Sequence, residues 1–382
     1  MARNKIIYLD YAAATPLDSD VLAAMQPYFS EQFYNPSATY RAANNVQKDL
    51  EKARANIASV LGARASEIIF TAGGTEANNL AIHGIMQKYP KANVIVSTIE
   101  HESVLAPASK HDCKLAPVTQ DGVVDVARLA QLIDENTVLV SVMYANNEVG
   151  SIQPIKEIAQ KLADIRAQRR QQGNKLPLYL HTDACQATGY LDLHVARLGV
   201  DLMSVNGGKI YGPKQSGALY VKAGVVLEPL VLGGGQESGL RSGTENIAGC
   251  VGLATALLKV QEGRHEEVGR LQKLQKLFTD RLEQAIPNVV VNGSRKHRLP
   301  NNVHITLAGQ DNERLLFGLD EAGILAAAGS ACSASSEEPS HVLKAMRVSE
   351  RDAQASLRFT MGKGTTEDEV RHTVETLTAL LA

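Results

Sequence analysis

The sequence predicts an α/β protein, a mostly parallel sheet with helices on both faces, joined to a smaller α+β domain. Three observations carry this expectation. From about residue 66, short β-branched runs alternate with stretches of helical period. After Gly249 that texture gives way to a long Leu/Gln/Lys/Glu-rich helical pattern followed by mixed strands and helices. A length of 382 residues with 44% hydrophobic content suggests two or three folding units with real cores.

Taken in order, the expected strands cover residues 67–70, 94–97, 138–144, 178–181, 201–205 and 218–221. Helical stretches lie between them; Ile155, Ile158, Ala159, Leu162 and Ile165 form one stripe at spacings of three and four. Alternation of this kind favours parallel strands covered on both faces. The pattern predicts a large domain over residues 15–257. A single long helix is expected over 247–285, then a strand at 303–307, a helix at 312–321 and a strand at 357–360. Thr366-x-x-Glu369 has capping-box spacing and opens a last helix with Val370, Val374, Leu377 and Leu381 on one side. Residues 1–14 and 258–382 are assigned to the small α+β domain.

Composition narrows the function classes. Lys plus Arg number 39 and Asp plus Glu 41, a formal charge of −2, so no basic face for nucleic acid or anionic membrane is expected. No apolar run is long enough to span a bilayer. The N-terminus runs from Met1 into Ile6-Ile7-Tyr8 without an apolar leader, and a cytoplasmic location is expected. The four cysteines, Cys113, Cys185, Cys250 and Cys332, form no CxxC pair, which argues against a zinc ribbon or a redox motif. Three read as buried reduced thiols. Cys332, inside Gly329-Ser330-Ala331-Cys332-Ser333-Ala334-Ser335-Ser336, lies in a small-residue stretch that predicts a mobile loop and a thiol able to act as a nucleophile.

Several polar residues fall at strand exits, where α/β sheets place ligands. Thr71-Ala72-Gly73-Gly74-Thr75-Glu76 follows a strand and opens a helix, so backbone N–H groups and the helix dipole can meet a phosphate; a plain tight connection reads the same way. It is not GxGxxG, and Lys209 and Lys214 lack the Ser or Thr of a P-loop. Asp183 follows one strand and Lys209 the next, within Asn206-Gly207-Gly208-Lys209. An Asp and a Lys facing a phosphate cup suit pyridoxal 5′-phosphate: the Lys would hold it as a Schiff base, and the Asp would keep its pyridine nitrogen protonated. A surface Lys and a helix-capping Asp remain the alternative. His101, Asn147 and Gln186 lie at neighbouring strand exits. Arg358 interrupts a strand pattern, as a carboxylate-binding Arg would, or as one in an ordinary salt bridge.

In their order, these motifs resemble the cysteine desulfurases of the NifS/IscS type, in the class V aminotransferase group. The resemblance rests on Tyr8-Leu9-Asp10-Tyr11-Ala12-Ala13-Ala14-Thr15-Pro16, Asn35-Pro36-Ser37, residues 71–79, Glu100-His101 and Asn146-Asn147-Glu148-Val149-Gly150. It continues through Asp183-Ala184-Cys185-Gln186, Lys209-Ile210-Tyr211-Gly212-Pro213-Lys214, Gly233-Gly234-Gly235-Gln236-Glu237 and Arg241-Ser242-Gly243-Thr244, and ends with residues 329–332, Glu338-Pro339-Ser340-His341-Val342-Leu343 and Arg358-Phe359. It implies the type I fold of pyridoxal phosphate enzymes with a seven-stranded sheet, a homodimer, L-cysteine as substrate and a sulfur-acceptor protein as partner. Lys209 would carry the cofactor, Asp183 would pair with its ring nitrogen, and His101 would stack on the ring and shuttle a proton. Gly74, Thr75 and Thr244 (from the other subunit) would bind phosphate, with Asn206 beside them. Asn147 and Gln186 would contact ring and substrate, with Asn35 also at the substrate. Arg358 would take the substrate carboxylate. Cys332 would accept the sulfur as a persulfide, releasing alanine for iron–sulfur assembly or tRNA thiolation. A selenocysteine lyase and a non-catalytic scaffold are the other expectations.

Some residues depart from the family pattern. Gly208 stands where a phosphate-binding His is usual, a loss of roughly 1.5–3 kcal/mol, or tenfold to a hundredfold in cofactor grip. Asn206 replaces Ser but can still donate through its amide. Gln215 replaces Gly, Ser238 replaces Arg and Tyr40 replaces His. The chain ends soon after the last helix pattern, so the scaffold-docking tail of longer relatives is not expected.

Overall fold

The structure, a computed structural model, describes residues 6–329 and 339–382. Seven strands form the main sheet: β1 (Ile68–Thr71), β2 (Asn93–Ser97), β3 (Asp112–Ala116), β4 (Thr137–Ser141), β5 (Tyr179–Asp183), β6 (Leu202–Asn206) and β7 (Gly217–Val221). Their spatial order is β1-β7-β6-β5-β4-β2-β3. The pairs β3/β2, β2/β4, β4/β5 and β5/β6 are parallel, whereas β7 runs antiparallel to both β6 and β1. Every residue of β2 and β4 is buried, as befits strands covered on two faces.

The covering helices follow from their stripes. Helix α1 (Arg41–Leu61) buries Val46, Leu50, Ala53, Ile57 and Leu61, spaced by three or four residues. Helices α2 (Gly74–Lys88), α3 (Glu102–Ala108) and α4 (Ile155–Gln171) each start after a sheet strand. Each Leu or Ile fully buried on such a face contributes roughly 1.5–3 kcal/mol.

The long helix expected over 247–285 is in fact two, α5 (Ile247–Glu262) and α6 (Arg264–Ala285), broken at Gly263. The apolar period runs on across the break, but the partners change. Leu253 and Leu257 of α5 pack in the main core, whereas Leu271, Leu274, Phe278 and Leu282 of α6 join a second cluster. That cluster also holds Ile7 and Leu9, Val303 and Ile305 of β8 (Asn302–Thr306), and Leu315 and Leu319 of α7 (Asn312–Glu321). Leu357 and Phe359 of β9 (Ser356–Thr360) and Val370, Val374 and Leu377 of α8 (Glu367–Leu381) complete it. The N-terminal strand Ile7–Tyr8 pairs in parallel with Ile324–Leu325. Val342, Leu343 and Met346 pack in the main core instead.

Thr366 caps α8 as its sequence predicts: its side chain accepts from the Glu369 N–H, and the Glu369 carboxylate accepts from the Thr366 N–H. Strand β3 was not expected. Its Asp112, Cys113 and Lys114 are exposed or half-buried, and β3 is a sheet edge, where charge discourages pairing with another chain. Cys185 and Cys250 are buried and reduced, whereas Cys113 on this edge is only half-buried. No helix among the described residues is long and apolar enough to cross a membrane.

Candidate active site

The parallel strands deliver their C-terminal ends to one edge of the sheet, and the predicted side chains converge there. Asp183 is the last residue of β5, one step inside the strand rather than past it. Its Oδ2 accepts from Asn78 Nδ2 at 2.7 Å and its Oδ1 from the Cys185 N–H at 2.8 Å. Asn78, on α2, gives its other amide hydrogen to Ser103 Oγ at 2.8 Å. Two neighbouring elements thus clamp the carboxylate at a fixed angle. Asn78 and Ser103 were not singled out from sequence. Asn78 leaves one trace there, an amide between the buried residues Ala77 and Leu80 of an otherwise apolar helix face.

His101 is the N-cap of α3, and its Nδ1 accepts from the Ser103 N–H at 3.0 Å. In the neutral ring the proton therefore sits on Nε2. Burial pushes its pKa below the ordinary histidine value; Asp183 pulls the other way and Lys209 reinforces the drop. Lys209 ends a short turn, Gly207–Lys209, after β6, and its Nζ donates to the carbonyls of Ala12 at 2.9 Å and Ala13 at 2.6 Å. The Ala12 carbonyl also accepts from Gln186 Nε2 at 3.0 Å.

Two adjoining cavities share Ala13, Gly74, Thr75, Asn206 and Lys209. The enclosed one, about 230 Å³, is walled by Asn78, His101, Asn147, Asp183, Gln186 and Arg358. The open one, about 680 Å³, is walled by Gly73, Glu76, Asn79, Gly208, Lys214 and Gln215. Gly74 opens α2, whose first N–H groups lack partners within the helix, and a β-carbon there would lie 2.6 Å from Cys185 Sγ, so glycine leaves that thiol in place. At Gly208 a β-carbon would meet nothing closer than 3.5 Å. Asn206 accepts from the Gly208 N–H through Oδ1 at 3.0 Å, which orients its side-chain amide and leaves Nδ2 as the donor. Gln215, in glycine's usual place, sits at φ +58°, the left-handed region that glycine enters without steric cost.

Arg358, on β9, is 1% exposed and faces the enclosed cavity. Asn35 and Thr244 are both exposed and line neither cavity. Cys332 lies outside the described residues. Glu237 ties the glycine-rich segment 233–239 to the main core. It forms a two-pronged ion pair with Arg54 at 2.7 and 2.8 Å and accepts from the Phe70 N–H at 2.7 Å. Arg241 reaches Glu76 of α2 at 2.9 Å.

The donor set fits pyridoxal 5′-phosphate. A clamped carboxylate suits the ring nitrogen, a lysine at the junction of the cavities suits covalent attachment, and a bare helix N-terminus suits the phosphate. Fold and site together define a type I pyridoxal phosphate enzyme. Residues 7–372 match the aminotransferase class-V family, and the chain belongs to it. It is 40% identical to the cysteine desulfurase IscS of Dictyoglomus turgidum, covering 98% of this chain and 94% of that one. With the putative cysteine desulfurase IscS 1 of Bacillus subtilis the identity is 42%, over 96% of each. Among solved structures, a NifS-like protein superposes with a TM-score of 0.89 at 32% identity, covering 99% of both chains. A structure of SspA in complex with cysteine gives a TM-score of 0.80 at 34% identity, covering 93% of this chain and 98% of that one.

Proposed function

We propose that this protein is a pyridoxal 5′-phosphate-dependent cysteine desulfurase. The reaction converts L-cysteine and the Cys332 thiol to L-alanine and a Cys332 persulfide: the carbon–sulfur bond breaks with its electron pair left on the β-carbon, a sulfur–sulfur bond forms, and one of the two thiol protons ends on that carbon. The observation that carries this reading is the convergence of Lys209, the clamped Asp183 and the neutral His101 on one enclosed cavity. When bound, the cofactor supplies an electron sink next to the substrate's α-carbon.

The chain's own residues do the rest. Asp183, fixed by Asn78 and the Cys185 N–H, holds a proton on the ring nitrogen. Lys209, at the junction of the two cavities, would anchor the cofactor and supply a base beside it. His101 offers a proton from Nε2 and caps the ring. Arg358 binds the α-carboxylate through the Nη hydrogens that Asp10 and Asn147 leave over. Cys332 is assigned the sulfur because the other three thiols suit it poorly: burial pushes the thiol pKa up at Cys113, Cys185 and Cys250, and a protonated thiol is a weak nucleophile.

The protein works as a homodimer in this reading, with Thr244 reaching the phosphate of the other protomer. Its exposure, with the loop before it pinned through Arg241 and Glu237, supports that role. The acceptor is a protein of iron–sulfur cluster assembly or a sulfurtransferase. The division into residues 15–257 and a smaller domain of 1–14 and 258–382 is supported by the change of core partners at Gly263, with Val342, Leu343 and Met346 of the smaller unit packing back onto the main core.

The test is mass spectrometry of the Cys332 peptide after the loaded protein has met L-cysteine without acceptor. A gain of one sulfur atom there, matched by alanine, supports the reading. Alanine formed with the sulfur on another cysteine would overturn the Cys332 assignment.

A further inference from the structure

Arg358 is tied into the fold at both ends. Its backbone pairs with His304 on one side and Ala327 on the other. Its guanidinium gives one hydrogen from Nη2 to Asp10 Oδ1 at 2.6 Å and one from Nη1 to the Asn147 carbonyl at 3.1 Å. Nε is buried and has no hydrogen-bond partner among the described residues. A guanidinium carries five N–H donors in a rigid fork, so fixing two of them fixes the direction of the other three.

Asp10 is itself stitched to the strand that carries Arg358. It forms a bridge with Thr360, two residues along β9, and the Ala12 N–H donates to Thr360 Oγ1 at 2.9 Å. Tyr8 Oη donates to the Asp10 carbonyl at 2.8 Å. The same N-terminal segment presents the Ala12 and Ala13 carbonyls to Lys209 and the Ala12 carbonyl to Gln186. One short stretch of chain therefore contacts three of the side chains that wall the enclosed cavity.

We propose that Asp10 is a positioning residue for substrate recognition. It aims the Arg358 fork so that the Nη hydrogens left over by Asp10 and Asn147 are the ones offered to an incoming α-carboxylate. It also balances the buried guanidinium charge while no carboxylate is bound. The selected class is α-amino acids whose carboxylate and amine match that spacing. Asp10 touches no substrate; it acts through Arg358. The inference rests on the reading of Arg358 as the carboxylate-binding residue given above.

The experiment is steady-state alanine production by the pyridoxal phosphate-loaded protein, with cofactor affinity measured in parallel from visible absorption. Asp10→Ala should raise KM for L-cysteine by about tenfold with kcat within about twofold and cofactor affinity unchanged. Asp10→Asn, which keeps the acceptor for Nη2, should restore KM to within about threefold of the parent. Arg358→Ala should raise KM, and adding Asp10→Ala to it should raise KM no further. If Arg358→Ala raises KM and Asp10→Ala does not, the role of Asp10 is overturned and the carboxylate site stands. If neither moves KM, the reading of Arg358 fails with it. Should the alanine variant not fold, Asp10→Glu displaces the same carboxylate by one methylene; an unchanged KM in that variant also overturns the proposal.

Discussion

The two ends of the cofactor cleft are built differently. At the enclosed end, Asp183, Asn78, Ser103 and His101 hold one another through short hydrogen bonds in a cavity of about 230 Å³. At the open end, around the start of α2, the wall combines Gly73, Gly74, Gly208 and three alanines with the side chains of Glu76, Asn79, Lys214 and Gln215, and the cavity is about 680 Å³. Chemistry at the ring demands a fixed carboxylate and a fixed imidazole, and at that end both are held by hydrogen bonds, Asp183 to Asn78 and His101 to Ser103. A phosphate needs only N–H groups and charge, and helix geometry supplies the N–H groups without a dedicated side chain. The open end can therefore lose a ligand, as Gly208 suggests, and keep its architecture.

Lys209 belongs to both ends, so its loss should have the largest effect. Lys209→Ala is expected to abolish alanine production and covalent cofactor retention together, read by amino-acid analysis and by absorption after gel filtration. Unchanged alanine production would break the account at its root. Next, Asn78→Ala removes the clamp at the enclosed end and leaves Asp183 Oδ2 unpartnered. Cofactor affinity should fall by roughly tenfold to a hundredfold, the cost of orphaning a buried charged group. An affinity within twofold of the parent would mean that the enclosed end is not rigid through Asn78.

Gly208→His tests the open end in the other direction. The space beside position 208 admits a β-carbon, and an imidazole there should tighten cofactor binding by about tenfold or more. Weaker binding would mean that the open end has closed around glycine. The smallest effect is on stability. Burial holds the Glu100 carboxyl well above the ordinary carboxylate range, although Oε1 accepts from the Met143 N–H at 2.6 Å. With the folded pKa above the unfolded one, its stabilising contribution is fully present below about pH 4.5 and is lost as pH rises toward the folded value. Glu100→Gln keeps the acceptor and does not titrate, so its melting temperature should gain on the parent's between pH 5 and pH 8. A difference independent of pH would contradict the assignment of a neutral carboxyl.

Much of this molecule was legible in its residues, and the exceptions have physical causes. The six strands expected in the main sheet and the Thr366–Glu369 cap were readable because burial on two faces and a capping box leave strong local patterns. Strand β3 was not, because this edge is only partly covered and carries Asp112 and Lys114, whereas β2 and β4 carry buried valines. The break at Gly263 was hidden because the apolar period continues through it while the partners change. At the site, Lys209, Asp183 and His101 stand out as polar residues at strand ends. Asn78 and Asp10 do not, since one is a single amide on a helix face and the other acts across nearly the whole length of the chain to reach Arg358.

The central claim is that this cleft holds a working pyridoxal phosphate site despite glycine at position 208. The most direct test is the visible absorption spectrum of the purified protein with added pyridoxal 5′-phosphate, recorded before and after L-cysteine. The account predicts a band that Lys209→Ala lacks and that shifts when cysteine is added. No band, even in excess cofactor, would contradict it and would leave a protein that keeps the fold of these enzymes without their chemistry.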